Sequence, residues 1–208
     1  MILSRLVFNP LHAGAYKLAD DPYGLHIRLC ACAQKCRAEG AILYRWEEGP
    51  VLLVQSDGPL DWSKLELPPN ALRGEPQSKP FDPSFRVGQR LTFRIRCRPC
   101  KKVKVEPGKN SRLRALRTEE ARLDWLARQG HKAGFLVEHV EATQEVWQDT
   151  RPSQNEREDM SLRERVPATR FDGVLVVQNP EQLLAAVRQG IGPQKAYGFG
   201  MLSLGRAD

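Results

Sequence analysis

Residues 90–98, RLTFRIRCR, alternate cleanly between apolar and polar side chains. The apolar positions are Leu91, Phe93, Ile95 and Cys97, and the positions between them hold Thr92, Arg94, Arg96 and Arg98. Because successive side chains of a β-strand point to opposite faces, this period of two predicts a strand with one apolar face and one basic face. A chain that contains such a strand is expected to form a sheet with one side against a core.

The segments before this strand have the signals of a strand and a helix. Residues 2–8, ILSRLVF, run into an Asn-Pro turn and predict a first strand. A helix is expected from about residue 21 to residue 39, with Asp20 as its cap and Pro22 at its first position. Gly40 follows this segment and is a typical helix stop.

A hairpin and a proline-rich region come next. Two short apolar runs, residues 41–46 and 51–56, flank a Gly-Pro pair, which is the signature of a hairpin. Residues 57–89 predict loops around a short helix in DWSKL. With the strand at 90–98, the order becomes strand, helix, strand, strand, short helix, strand, the ferredoxin-like arrangement with helices on one side of an antiparallel sheet. Residues 1–98 are therefore expected to form an N-terminal domain.

Residues 99–208 repeat a similar order and predict a C-terminal domain. The segment TEEARLDWLARQG predicts a helix that is capped by Thr118 and stops at Gly130. Two strands, GFLVEHVEATQEVWQ and RVPATRFDGVLVVQ, a helix PEQLLAAVRQG and a last strand GFGMLSLG follow in this order. The predicted fold class is α+β, with two tandem ferredoxin-like domains that have antiparallel sheets.

The charge of the chain favours a polyanionic partner. It has 32 Lys and Arg residues against 25 Asp and Glu, a formal charge of +7, and nucleic acid is the leading candidate. Its longest apolar runs have the length of strands, so no membrane partner is predicted. Arg5 and Pro10 interrupt the apolar opening segment MILSRLVFNP, so no secretory leader is predicted and a cytoplasmic protein is expected.

Basic residues are densest between residues 86 and 117, where we expect a groove that follows phosphates. The predicted RNA contacts there are Arg90, Arg94, Arg96, Arg98, Lys101, Lys102, Lys104, Lys109, Arg112 and Arg114. The alternative for the same residues is a solvated strand face.

A glycine-rich segment, GIGPQKAYGFG at residues 190–200, is a second candidate for RNA contact. It matches neither the nucleotide P-loop nor the dinucleotide fingerprint. Glycines allow a close backbone approach and could donate amide hydrogens to phosphate, or they could simply form a helix stop and a tight turn. The predicted contacts are Gly190, Gly192, Lys195, Gly198 and Gly200.

Tyr23 and His26 are the candidate catalytic residues. Three residues apart in a helix, they share one face within its first two turns. Free amides and the positive dipole end there would attract a phosphate and lower the affinity of His26 for its proton. RNA cleavage without a metal needs a group to deprotonate the attacking 2′-hydroxyl, a group to protonate the leaving 5′-oxygen and donors for the phosphorane. The alternative is an ordinary surface or core histidine.

The five cysteines allow a zinc hypothesis, because Cys32 and Cys36 would share a helix face and Cys97 and Cys100 form a C-x-x-C pair. The alternative is that they pack as small apolar side chains. We favour the second interpretation, so no metal and no cofactor are expected.

Several segments together resemble one known family. They are MILSRLVFNP, DPYGLHIRL, GQRLTFRIRCRP, DWLARQG and FDGVLVVQNPEQLLAAVRQGIGPQKAYGFGMLSL. The chain resembles, almost from end to end, the CasE family of repeat-cleaving endoribonucleases of the type I-E CRISPR Cascade complex, within the RAMP superfamily. The closing GIGPQKAYGFGMLSL and the P-Y-x-L-H placement after a first strand carry most of this resemblance. One departure is Arg98, where relatives tend to have asparagine.

The resemblance implies tandem ferredoxin-like (RRM-like) domains and metal-independent cutting at the base of a CRISPR repeat stem-loop. It also implies products with a cyclic phosphate and a free 5′-hydroxyl, an enzyme that keeps its RNA, and other Cascade subunits as partners. By position, the family's catalytic histidine falls on His26 and its active-site tyrosine on Tyr23, with their acid and base roles open.

Two rival functions remain at this point. A non-catalytic RNA-binding subunit of a CRISPR ribonucleoprotein would keep the basic face and the glycines without needing Tyr23 or His26. A general RNA-recognition module is disfavoured, because RLTFRIRCR offers only Phe93 for stacking on bases.

Overall fold

The computed structural model describes most of the chain. The described residues are 1–12, 17–33, 42–47, 49–103, 112–148 and 165–207. The expected turn at Pro107-Gly108 and the polar stretch 149–164 lie outside them.

The first sheet has four strands, all antiparallel to their neighbours, in the order β2-β3-β1-β4. The strands are β1 (Ile2–Val7), β2 (Leu43–Trp46), β3 (Val51–Ser56) and β4 (Gln77–Pro80). Helix α1 (Pro22–Cys32) and a short 3-10 helix (Trp62–Leu65) complete this half. The first strand, the hairpin and the short helix are thus confirmed as predicted.

Helix α1 is shorter than predicted. Its cap is Asp21 instead of Asp20, and it ends at Cys32 because Ala33 takes an extended backbone with ψ 144°. Leu25 and Leu29, four residues apart, are fully buried and attach the helix to the core of the first sheet. The expected extension from residue 34 to residue 39 lies outside the described residues.

The second sheet has the order β10-β5-β9-β8 and is also antiparallel. Its strands are β5 (Arg90–Cys97), β8 (Phe135–Gln148), β9 (Arg165–Val177) and β10 (Ser203–Arg206). The helices of this half are α2 (Glu119–Lys132) and α3 (Pro180–Gln189). Thr118 caps α2 as predicted, but the helix continues two residues beyond Gly130, and the final strand is shorter than GFGMLSLG.

Each half of the chain has the ferredoxin-like order of strands, since the strands of both sheets run fourth, first, third, second across the sheet. The predicted α+β class is confirmed. A small hairpin of β6 (Cys100–Val103) and β7 (Arg112–Ala115) lies between β5 and α2 in the sequence.

The strand at residues 90–98 lies in the second sheet and not, as predicted, in the first. It alternates between buried and more exposed residues as predicted, but it pairs with β9 and β10 and so begins the second half. The first sheet is instead closed by β4, which is exposed at every residue and therefore has no apolar periodicity to reveal it. We propose a division between Pro80 and Arg90 in place of the expected one at residue 98.

Candidate functional site

Tyr23 and His26 lie on one face of α1, as predicted. Their ring centroids are 6.5 Å apart and both residues are half-buried. Spacing of three residues within a helix produces this arrangement, and the cap at Asp21 places both side chains near the helix start.

The start of α1 is capped by a carboxylate, whereas the sequence suggested free amides that could bind a phosphate. The Asp21 carboxylate accepts a hydrogen bond from the Gly24 N–H at 3.0 Å, and Pro22 has no N–H to offer. A carboxylate at this end satisfies the helix dipole with negative charge and so disfavours a second anion.

Burial lowers the pKa of His26 below its ordinary value of 6.5. The direction agrees with the prediction, but the cause is desolvation and not an open helix terminus. The Sγ of Cys30, one turn further along α1, lies 3.6 Å from Nε2 of His26. A neutral imidazole at neutral pH is able to accept a proton, which is the state a general base needs.

The glycine-rich segment lies against this face of α1. Its residues Lys195–Tyr197 form a single 3-10 turn, and the ring centroid of Tyr197 is 6.0 Å from that of Tyr23. Tyr197 is buried with Phe199 and Ala168, and Tyr23 packs on this cluster. Two features predicted separately, at opposite ends of the chain, are therefore in contact. Tyr197 itself was missed, although its place inside the glycine-rich segment was a usable signal.

Tyr44 connects α1 to this turn and was also missed. Its hydroxyl lies 2.5 Å from the carbonyl oxygen of Pro22 and 3.0 Å from that of Ala196. Burial raises the pKa of the Tyr44 hydroxyl well above its usual value, and Asp21 and Tyr197 raise it further. The phenol therefore stays neutral and remains a donor. An aromatic residue in a predicted strand carries no sequence signal for such a role.

The glycines of the segment make close contacts within the protein. Gly190, Gly192, Gly198 and Gly200 all have positive φ angles. A Cβ at Gly200 would be 2.6 Å from the carbonyl oxygen of Ile191, and one at Gly198 would be 2.9 Å from the Tyr44 ring. These positions need glycine for packing as well as for φ.

The amide hydrogens expected to face phosphate are largely used inside the segment and its surroundings. The N–H groups of Gly190, Gly198 and Gly200 donate to the carbonyl oxygens of Ala186, Lys195 and Arg96. At these three positions the structure therefore supports the alternative, a helix stop and a tight turn, over donation of amide hydrogens to phosphate. Side chains such as that of Lys195, which is half-buried, are the better candidates for contact with RNA.

The arginines of β5 are paired with carboxylates. Arg90 forms an ion pair with Glu138, with the Nε–Oε2 distance at 2.8 Å, and Arg96 pairs with Glu145 at 2.5 Å. Arg94 bridges Asp172 on β9 and Glu47. The predicted basic face of β5 is thus partly neutralised by carboxylates, which come from segments that are distant in sequence.

Arg45 extends this network between the two sheets. It is only 3% exposed, pairs with Glu47, and donates to the carbonyl oxygens of Arg94 and Met201 at 3.2 Å each. Burial alone would raise the pKa of Glu47, but Arg45 and Arg94 outweigh it and hold that pKa below its ordinary value. A cavity of about 280 Å³ lies here, lined by Arg45, Trp46, Glu47, Arg94, Arg96, Glu145 and Arg170.

Besides Arg90, the hairpin of β6 and β7 contains exposed residues of the predicted basic surface. Lys101, Lys102 and Arg114 are exposed, and Arg98, just before it, is half-buried. Arg112 is in β7, whereas Lys104 and Lys109 lie outside the described residues.

No group of three or more His, Cys, Asp or Glu residues within the described ranges could hold a metal ion. Cys32 and Cys97 are free and buried, as expected of small apolar side chains, while Cys30 is disulfide-bonded. Among the residues that the structure describes, no helix is long and apolar enough to span a membrane.

Comparisons with known proteins agree over nearly the whole chain. The family described as CRISPR associated protein matches residues 1–206. The CRISPR-associated endoribonuclease Cse3 of Thermus thermophilus is 35% identical over 223 residues, which cover 98% of this chain and 99% of the relative.

Two solved structures are also similar. Thermus thermophilus Cse3 bound to an RNA representing a pre-cleavage complex has a TM-score of 0.80 and 31% identity, covering 98% of each chain. A chain of a CRISPR RNA-guided surveillance complex has a TM-score of 0.64 and 28% identity, covering 100% of both chains.

Proposed function

This chain belongs to the family of CRISPR-associated proteins, and we propose that it is a metal-independent endoribonuclease that cleaves CRISPR precursor RNA at the base of the repeat stem-loop. The endoribonuclease name of a relative that spans almost the full chain supports this activity. The observation that carries the proposal is the meeting of Tyr23 and His26 with the turn Lys195–Tyr197. This meeting brings a phenol and an imidazole, both of which are able to carry a proton, next to a segment with a cationic side chain.

The proposed reaction is a transesterification. The 2′-hydroxyl of one nucleotide attacks the adjacent phosphorus and loses its proton, and the bond from phosphorus to the 5′-oxygen breaks as that oxygen gains a proton. The products are a 2′,3′-cyclic phosphate and a free 5′-hydroxyl. His26 and Tyr23 are the residues proposed to move or position these protons, with the acid and base roles open between them.

A developing phosphorane needs positive charge close to its oxygens. Lys195 is proposed for this role, because its turn contacts the face of α1 that holds the catalytic pair. The exposed Lys101, Lys102 and Arg114 are proposed to contact phosphates of the stem. The hairpin of β6 and β7 follows directly after the end of β5. The Gly200 N–H donates to the carbonyl oxygen of Arg96, near the same end of β5. The hairpin and the glycine-rich segment that carries Lys195 therefore both lie near this end of the second sheet.

The enzyme is proposed to keep its product, the mature crRNA, and to act in the cytoplasm as a Cascade subunit. Its similarity to a chain of an RNA-guided surveillance complex supports this assembly.

The experiment is cleavage of a repeat stem-loop RNA in the presence of EDTA. We expect the wild-type protein to cut, and His26→Ala to cut at least about 100-fold more slowly, as for the loss of a general acid or base. His131→Ala is the matched control, since His131 is an exposed histidine near the end of α2.

Binding is measured separately with an RNA that has a 2′-deoxy nucleotide at the cut. Unchanged binding by His26→Ala would assign the loss to chemistry. Tight binding without any cutting by the wild-type protein would instead support a non-catalytic RNA-binding subunit.

A further inference from the structure

The two parts of the candidate site are attached to different sheets. Helix α1, with Tyr23 and His26, is buried against the core of the first sheet through Leu25 and Leu29. The turn Lys195–Tyr197 belongs to the segment that leads into β10 of the second sheet. The geometry of the site therefore depends on contacts between the two halves.

We propose that Tyr44 is a positioning residue that holds the start of α1 against the turn Lys195–Tyr197. This inference rests on the proposed function, to which it adds a residue that acts through others. Tyr44 is on β2, an edge strand of the first sheet, and is 1% exposed. It touches the backbone of both parts without taking part in the chemistry.

The hydroxyl of Tyr44 has one hydrogen and two carbonyl oxygens within reach. The Pro22 oxygen is 2.5 Å away, at the first residue of α1, and the Ala196 oxygen is 3.0 Å away, in the middle of the turn. Without this donor, two carbonyl groups in a buried setting would lose a shared partner, and buried polar groups are costly to leave unpaired. The contact therefore favours one separation between helix and turn.

The ring of Tyr44 adds a steric limit to the same contact. A Cβ built at Gly198 would be 2.9 Å from Cε2 of the ring, so the backbone of the turn already rests closely on it. The hydroxyl thus attracts the helix and the turn to each other, and the ring limits how closely the turn approaches β2.

The neighbouring residue acts on the other face of β2. Successive side chains of a strand point in opposite directions, and Arg45 donates to the carbonyl oxygens of Arg94 and Met201 in the second half. Tyr44 and Arg45, on opposite faces of β2, therefore both form hydrogen bonds with the second half. Of these two residues, Tyr44 is the one that reaches the elements carrying Tyr23 and Lys195.

The test compares Tyr44→Phe with Val54→Ala. The first variant keeps the ring and removes the hydroxyl. Val54 pairs directly with Tyr44 across the β2–β3 ladder and is fully buried, so its truncation weakens the same core without touching Pro22 or Ala196. Single-turnover cleavage of repeat stem-loop RNA is measured below the unfolding temperature of both variants, and affinity is measured with the 2′-deoxy RNA.

We expect Tyr44→Phe to cleave about five- to tenfold more slowly, the factor for roughly one net hydrogen bond, with affinity changed less than about twofold. Val54→Ala should cleave at the wild-type rate. Equal rates for Tyr44→Phe and wild type would overturn the inference, as would an equal loss in Val54→Ala.

A second measurement keeps this inference separate from the proposed function. Histidine NMR of the protein without RNA gives the pKa of His26, which burial lowers in this arrangement. In Tyr44→Phe the midpoint should rise towards 6.5, because a displaced α1 face admits water. An unchanged midpoint contradicts the positioning role. A wild-type protein that cuts no RNA would contradict the function alone.

Discussion

Tyr23 and Tyr197 lie with their ring centroids 6.0 Å apart, although one is in the first helix and the other precedes the last strand. This contact joins the helix that holds both predicted catalytic residues to the glycine-rich segment that is predicted to contact RNA. It also means that the site is complete only when both sheets are formed and held together. Mutations that unfold either half or separate the two should therefore abolish cleavage, so rates are compared only where each variant is folded and stability is measured beside every rate.

The titration of His26 is the first prediction. Its pKa in the folded protein should lie below 6.5, the ordinary value, because burial disfavours the charged ring. The neutral form is then favoured by folding, so the contribution of His26 to stability is full above pH 6.5 and is lost as the pH falls towards the folded-state pKa. Histidine NMR gives this midpoint, with the urea-unfolded protein as reference. A folded-state midpoint at or above the unfolded one would contradict the prediction.

The network between the sheets leads to a second prediction. Arg45→Met should lower the free energy of unfolding by about 3 kcal/mol or more, because it leaves the half-buried Glu47 without its main partner. Urea unfolding followed by circular dichroism measures this loss.

Arg90→Met is the matched control for Arg45→Met. Arg90 also pairs with a glutamate, Glu138, but its side chain is 53% exposed. Surface ion pairs contribute little, so the unfolding midpoint should not change measurably. Similar losses in both variants would show that burial does not decide the strength of these pairs.

The strongly periodic elements could be predicted from the sequence, because burial of one face leaves a pattern in the chain. The alternation at residues 90–98 and the cap at Thr118 are confirmed in detail. The strand Gln77–Pro80 could not be found, since every residue in it is exposed. Without this strand, the prediction used β5 to close the first sheet, although β5 belongs to the second.

The candidate site was predictable only in part. Tyr23 and His26 share a face because of their local spacing, which any helix guarantees. The pairing of Arg94 with Asp172 and the contact of Tyr44 with Ala196 depend on strand order and on how the halves meet. Neither is encoded in nearby residues, so charge density alone overestimated the free basic surface.

The ion pairs also predict which cations contribute to RNA binding. Lys102→Ala should reduce the slope of log affinity against log salt concentration by about 1, because an exposed lysine on a phosphate releases roughly one counterion. Arg94→Ala should change that slope less, since its guanidinium is already paired with Asp172 and Glu47. Titrations of the 2′-deoxy RNA at several salt concentrations give both slopes. A larger change for Arg94→Ala would mean that RNA displaces the carboxylates.

Gly200→Ala should destabilise the protein and slow cleavage together. Gly200 has a φ of 85°, where a side chain costs about 1–2 kcal/mol, and its Cβ would be 2.6 Å from the Ile191 carbonyl oxygen, so the backbone must also move. Because Gly200 binds both Ile191 and the Arg96 carbonyl, that movement reaches the turn that holds Tyr197. Gly58→Ala is the control, since a Cβ there meets nothing within 4 Å. Thermal unfolding and single-turnover cleavage are measured for both variants, and Gly200→Ala should have the lower unfolding temperature and the lower cleavage rate. A Gly200→Ala protein with wild-type stability would show that the segment tolerates side chains and is not rigid.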